Sequence, residues 1–412
     1  MADPSALPSA ATVSAACYDK YVVAVDPGLD AALKWDLEKL AEHFATLKTL
    51  TSMFIRTLVP WEDFHRPPNA GHAAVADFLL TGAAPAALSS NYDTLIEDCA
   101  LDFGADFRAS LDGDQARVHA ASHAPLLKFH GCMNLDRDET VWTPSQLTGG
   151  VIADRIAKSK TWMANELREK DILVVGFWTD WHYLNAIISD ALQGVSPLSV
   201  TVVAPVASGM LQAKAPALWD LAHADHVVFD HVSEDGAAFL DSLRRAYSRA
   251  FLRKVVAAGR VEFEAIIHGA CDASRFACPD YSSEVLYRLR RDAEGVPTNK
   301  PARQKSPTPS APLGLFHLQL RQAGAIPTET GYTFNGTTIR VVNGANQILS
   351  KMAAKFQEAP AVDESALTAA IGAEDVPLPA SVVRTGMPGS IMRPAARSRW
   401  VTYAGAVGAL GL

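Results

Sequence analysis

The stretch Leu88–Asp98, LSSNYDTLIED, places an Asn and an Asp two residues apart where an apolar run gives way to a helical pattern. Asn91 and Asp93 both suit a helix N-cap, because a short side-chain oxygen accepts from the free backbone N–H groups of the first turn. The position equally suits a ligand, since in an open parallel sheet ligands sit outside the carboxyl ends of the strands. These residues alone leave both roles open. Whether a parallel sheet exists decides how much weight the second carries.

The surrounding text supplies the pattern of such a sheet. AALSSN, PLLKFHG, DILVVGFW, LSVTVVAP and HVVFDHV are short apolar segments, and a turn or a helical pattern follows each. Strand then helix, repeated, predicts parallel strands covered on both faces. Helices fit at residues 93–103, 151–170, 181–193 and 234–258. Nearer the start, Trp35, Leu37, Leu40, Phe44, Leu47, Leu50 and Phe54 fall near helical spacing, which predicts one amphipathic helix over 31–58, stopped by Pro60. PWEDFHRPPNAGH reads as a Pro-rich loop, and AAVADFLLT as a helix ended by Gly82.

The prediction is an α/β fold: a Rossmann-like parallel sheet with helices on both faces, plus a smaller C-terminal α+β region. The divisions are an N-terminal arm over 1–29, a sheet domain over 30–260, a connector over 261–312 and a C-terminal region over 313–412. The connector includes the Pro, Ser and Lys-rich linker GVPTNKPARQKSPTPSAPLG. Beyond it, YTFNGTTIRVV predicts a hairpin turning on Asn335-Gly336. The apolar ending WVTYAGAVGALGL is expected to pack against the sheet domain or a neighbouring chain.

At 412 residues the chain is long enough for two or three domains. Its net charge of -8 excludes a protein that holds nucleic acid over its whole surface, which takes clustered Lys and Arg. No direct nucleic-acid partner is expected. The charge is uneven: from Val296 onward it is +5, leaving -13 for the remainder. The cysteines at 17, 99, 132, 271 and 278 form no CxxC pair, so neither a disulfide framework nor a metal site is expected. No run reaches the roughly 18 apolar residues of a membrane span, and the expected location is the cytoplasm.

Three polar stretches fall on predicted strand ends: SSNYD, HG after PLLKF, and GFWTDW. Each has a plain reading, as a helix cap, a strand-end histidine and an aromatic patch. Taken in order, LSSNYDTLIE, LLKFHG and ILVVGFWTDWHYLN resemble the sirtuin-like (SIR2-like) domains of bacterial antiphage defence systems, relatives of the NAD-dependent sirtuin deacylases. PWEDFHRPPNAGH and AAFLDSLRRAYSRAFL are also similar to that group, so the resemblance covers roughly 30 to 260.

The resemblance implies a role for each matching residue. Asn91 orders the ribose and its attacking water, Asp93 contacts the nicotinamide carboxamide, and Ser89 takes the small hydroxyl position. His130 falls at the catalytic histidine, while Gly176, with Thr179 beside it, lets backbone approach the nucleotide. NAD+ enters as substrate, with no metal. These roles agree with the chemistry, because cleaving the nicotinamide bond develops oxocarbenium character that oriented polar groups must meet. An imidazole titrating near neutrality suits the handling of a proton.

Two departures refine the expectation. The four-cysteine zinc module that follows the histidine in sirtuin deacylases is replaced by CMNLDRDETVWTPSQL, with Cys132 alone. The Gly-Ala-Gly-x-Ser type turn that cradles pyrophosphate in the family is absent. The one early candidate, VVAVDPGLDAAL, where a strand-like run meets Asp26-Pro27-Gly28, offers a single glycine, and this absence supports a non-catalytic alternative. The expected function is an NAD+ hydrolase effector that depletes NAD+ in antiphage abortive infection when a partner or signal activates it. A co-encoded sensor or assembly protein and a homo- or hetero-oligomer go with that reading. The alternative is a catalytically weak or inactive sirtuin-like scaffold or nucleotide sensor in a defence complex. An NAD-dependent protein deacylase comes third, and the absence of GxGxxG speaks against an unrelated Rossmann enzyme.

Overall fold

The computed structural model describes residues 4–178, 182–191, 193, 196–303, 308–357, 367–376 and 399–412. The chain divides into two compact units, Met1–Leu101 with Asp106–Asp241, and Asp102–Ala105 with Ser242–Leu412.

In the first unit all five predicted strands form: β1 (Ala87–Leu88), β2 (Leu126–Leu127), β3 (Asp171–Val175), β4 (Ser199–Val203) and β5 (Val228–Val232). β1 pairs with β2, and β3, β4 and β5 pair in that order, every pairing parallel. The prediction of an α/β fold built on parallel strands holds. Helices intervene as parallel connections demand.

Those helices bury β2 and much of β4, while β3 and β5 stay half-buried to exposed. In chain order the unit contains α1 (Ala10–Ala24), α2 (Leu37–Thr46), α3 (Ala70–Thr81), α4 (Leu95–Asp102), α5 (Gly113–His119), α6 (Gly150–Glu166) and α7 (His182–Ala191). Leu127 and Phe129 share a core with Ile156, Trp162 and Met163 of α6 and Leu184 and Ile187 of α7. Val200 and Val202 of β4 pack with Leu211, Leu218 and Ala222. Full burial of each such side chain stabilises the fold by about 1.5–3 kcal/mol. These cores fix the strand ends on which the polar stretches sit.

The N-terminal region departs from the sequence reading in two places. Val22–Leu33 is not a strand meeting a helix: Val22 to Ala24 close α1, and Asp26 to Gly28 form a turn in which Asp26 accepts from the Gly28 N–H at 2.9 Å. Helical spacing prevails because Val13, Cys17 and Tyr21 fall on one face, with the Tyr21 ring edge-on to Phe44 at 4.8 Å. Nor is 31–58 one helix. A short 3-10 turn, Ala31–Leu33, precedes α2, and a π-helical segment, Leu50–Leu58, follows it. Lys48 breaks the run with φ 57°. The break turns Leu47 outward while Phe44 and Phe54 remain in one core, 5.5 Å apart.

The second unit holds a smaller mixed sheet in the order β10-β9-β8-β7-β6. Its strands are β6 (Ile326–Thr328), β7 (Gly331–Phe334), β8 (Thr337–Asn343), β9 (Leu367–Ile371) and β10 (Arg399–Thr402). β7 and β8 form the predicted hairpin, with Asn335 and Gly336 at φ 48° and 74° as a type I′ turn requires. The apolar tail packs within this unit: Val401 and Ala406 join Phe316, Ile339 and Ala369, with Phe251 and Val255 in the same cluster. Of the linker, Val296 is buried and APLG opens the helix Ala311–Gln322, because Pro312 is tolerated in a first turn. Residues 304–307 lie outside the described ones. Among the described residues no helix is long and apolar enough to cross a membrane.

Candidate functional site

Two separate parallel sheets, β1–β2 and β3–β5, deliver three polar stretches to one cavity. β1 ends at Leu88 and runs into Ser89-Ser90-Asn91, β2 at Leu127 into Lys128-Phe129-His130, and β3 at Val175 into Gly176-Phe177. Ser90, Asn91, Asp93, His130 and Gly176 line a single cavity of about 260 Å³. Stretches dozens of residues apart thus meet where an open parallel sheet collects its ligands.

Asn91 is exposed at this cavity, and its backbone N–H donates to the Ser89 hydroxyl at 3.1 Å. Ser89 itself extends the ladder, its N–H donating to the Leu127 carbonyl at 2.9 Å. Asp93 is buried, and its Oδ1 accepts from the Leu95 N–H at 3.1 Å, so it does open α4 as a cap. It also lines the cavity, so the capping role and a place in the cavity wall coincide in one residue. Its carbonyl accepts from the buried ammonium of Lys128, which pairs with Glu97 at 2.7 Å. Burial pushes the Glu97 carboxyl up, and Lys128 opposes that shift.

His130 is almost fully enclosed, at 2% exposure. Its Nδ1 lies 3.1 Å from the Ser90 carbonyl and its Nε2 2.8 Å from the Tyr183 hydroxyl. Tyr92 stacks on the ring at 5.1 Å and 13°, and Trp142 stacks on Tyr92 at 4.5 Å. Burial drives the imidazole pKa down to about 3; the Ser90 contact works against this and Arg155 adds to it. The ring is therefore neutral at physiological pH and a weak base in this arrangement. Gly131 follows because the backbone has φ 105° there, and a Cβ would come within 2.9 Å of Thr140.

Gly176 also needs its glycine, at φ 66°, and a Cβ added there would meet open space. Thr179 lies outside the described residues. The Asp26-Pro27-Gly28 turn does not line the cavity; from the first thirty residues the lining takes Leu7, Pro8, Ala10 and Val13, around the start of α1. The sequence reading missed these, since an Ala, Ser and Pro-rich opening carries no mark of a binding wall. It also missed Tyr183, which it read only as part of a helix. Leu37, Phe64, Trp142, Phe177 and Leu184 complete a largely apolar lining.

The segment after Gly131 is held by ordinary polar contacts. Asp136 accepts from the Cys132 N–H at 2.7 Å and pairs with Arg155, whose guanidinium also donates to the Glu139 carbonyl at 2.7 Å. Cys132 is a buried thiol outside any disulfide, as Cys17 and Cys271 are.

Residues 85–225 match the family model described as SIR2-like domain. This segment is a SIR2-like domain. It spans β1 to the helix before β5 and includes every residue the sequence reading assigned to the site. SIR2-like domains bind NAD+ and are associated with NAD-dependent catalysis. No curated protein matches the chain.

Proposed function

We propose that the SIR2-like domain hydrolyses NAD+ at the bond between nicotinamide and ribose. The observation that carries this reading is the meeting of Asn91, Asp93, His130 and Gly176 around one cavity. At about 260 Å³ it falls near the lower end of ligand pockets, roughly 300–1,000 Å³. The nicotinamide riboside half of NAD+ is therefore assigned to it, with the pyrophosphate and adenosine extending beyond.

In this reading the C1′–N bond breaks with its electron pair going to nicotinamide, and positive charge develops on the ribose. The Asn91 side-chain oxygen and the Asp93 carboxylate are the groups that meet it. Asp93 Oδ1 is occupied by the Leu95 N–H, which leaves Oδ2 for the carboxamide. A neutral His130 adds no charge that would repel the developing cation. Its Nδ1–H holds the Ser90 carbonyl and so the backbone leading into Asn91. Water attacks C1′, its proton passes to solvent, and the products are nicotinamide and ADP-ribose.

An enzyme that depletes NAD+ has to be restrained at rest. The reading assigns that restraint to a co-encoded sensor or assembly partner acting in antiphage defence. A second reading, a module that binds a nucleotide without cleaving it, draws support from one observation. Among the described residues lining the cavity, none is Lys or Arg to meet a pyrophosphate.

Nicotinamide release by the full chain, alone and with co-purifying proteins, separates the two when NAD+ binding is followed by calorimetry. The hydrolase reading expects nicotinamide and ADP-ribose in equal amounts from wild type and neither from His130→Gln. Binding without release selects the second reading, and the absence of both defeats the two together.

A further inference from the structure

Tyr183, on the first turn of α7, comes from a different strand end than His130 and Ser90, yet its hydroxyl reaches the imidazole. It is buried, with Oη 2.8 Å from Nε2 and ring centroids 5.8 Å apart. On the opposite edge of the ring Nδ1 faces the Ser90 carbonyl at 3.1 Å. A carbonyl only accepts, so in the neutral ring Nδ1 carries the proton and Nε2 presents its lone pair. The hydroxyl of Tyr183 then donates to Nε2. One chain of hydrogen bonds, Tyr183 to His130 to Ser90, joins the segments after β3, β2 and β1.

We propose that Tyr183 is the positioning residue of this site: it fixes the tautomer and plane of His130, and through the Ser90 carbonyl it sets the backbone that presents Asn91. The inference rests on the hydrolase reading for its effect on rate, while the positioning itself rests on geometry. Tyr92, stacked on the ring face, prevents tilting but leaves both tautomers allowed. Arg155 is the charged side chain that bears on the ring, and its sign opposes an imidazolium. The neutral Nδ1–H form is therefore the state the surroundings select, and Tyr183 is the donor that completes it. An outer hydrogen-bond partner of this kind orients an inner group without touching the substrate, as the partners of metal-bound histidines do.

The test is Tyr183→Phe in the full chain, which keeps the ring and removes the hydroxyl. Nicotinamide release is expected to lose about 10–100-fold in kcat, by analogy with other outer-shell partners, with KM within about twofold because no ground-state contact is lost. In the 15N spectrum, wild type is expected to show His130 as a single tautomer with Nδ1 protonated. In Tyr183→Phe the Nε2 resonance is expected to move towards that of an unbonded imidazole nitrogen, and the Ser90 and Asn91 amides to shift with it. A wild-type ring protonated at Nε2 overturns the proposal, as does a variant whose Nε2 and Asn91 resonances are unmoved. If wild type releases no nicotinamide, the hydrolase reading fails, and the spectra alone then decide the positioning. Because the wild-type spectrum is itself diagnostic, a variant that failed to fold would still leave the proposal open to refutation.

Discussion

Asn91→Ala is expected to lower the rate of NAD+ cleavage by about 100–1,000-fold, the usual cost of removing one preorganised polar group that meets developing charge. The same substitution should leave thermal stability within about 0.5 kcal/mol, as exposed positions outside the core do. The contrast follows from where Asn91 sits. Its side chain is exposed at the cavity, and the bond that shapes the turn, from its N–H to the Ser89 hydroxyl, belongs to the backbone and survives the change. Rate and melting temperature of the purified variant check both halves. A fall in both together would make Asn91 a structural residue.

The largest effect on stability is expected at Lys128, through the ground on which Asp93 rests. Lys128 is 1% exposed, and its ammonium bonds Glu97 at 2.7 Å and the Asp93 carbonyl. Lys128→Met removes one partner of a buried pair and leaves a carboxylate at 12% exposure without its counter-charge. Such a break costs about 3–5 kcal/mol. Replacing both members, Lys128→Met with Glu97→Leu, should recover most of the loss, since a buried pair exchanged for apolar side chains is often neutral. Hydrogen exchange at the amides of β2 and α4 measures the local cost. A single variant as stable as the double would mean that the pair does not hold this edge together.

The strand-then-helix pattern was legible because the parallel strands carry near-continuous apolar runs, as DILVV and SVTVV do; β4 buries Val200, Val202 and Val203, while Leu173 of β3 stays 40% exposed. The polar stretches were legible because each begins where an apolar run stops. That SSN and HG after the β1–β2 pair meet GF after β3, which belongs to a separate sheet, is seen only in the shared cavity. Asn335-Gly336 announced its hairpin because both positions need positive φ. What failed to show was tertiary. Val22 and Val23 are strand-formers by type, but the stripe of Val13, Cys17 and Tyr21 against Phe44 draws them into α1.

The spacing of apolar residues over 31–58 runs straight through the break at Lys48, because the π-helical segment restores the core face beyond it. Trp35 at 65% exposed and Leu47 at 49% are the two members of that stripe left outside. The arm at Leu7 and Pro8 reaches the cavity, and the hydroxyl of Tyr183 reaches His130, only through packing that no local pattern records. Asp93 was open to two readings, and the structure gives it the cap and a place in the cavity wall together.

The place of the nicotinamide riboside in this cavity is tested most directly by a crystal structure with a non-cleavable carbocyclic analogue of NAD+. The expected result is the nicotinamide carboxamide against Asp93, with the sugar hydroxyls within hydrogen-bond reach of the Asn91 side chain and the imidazole of His130 still bound to Ser90. An analogue bound elsewhere on the chain, or a cavity that stays empty at saturating concentration, would contradict it.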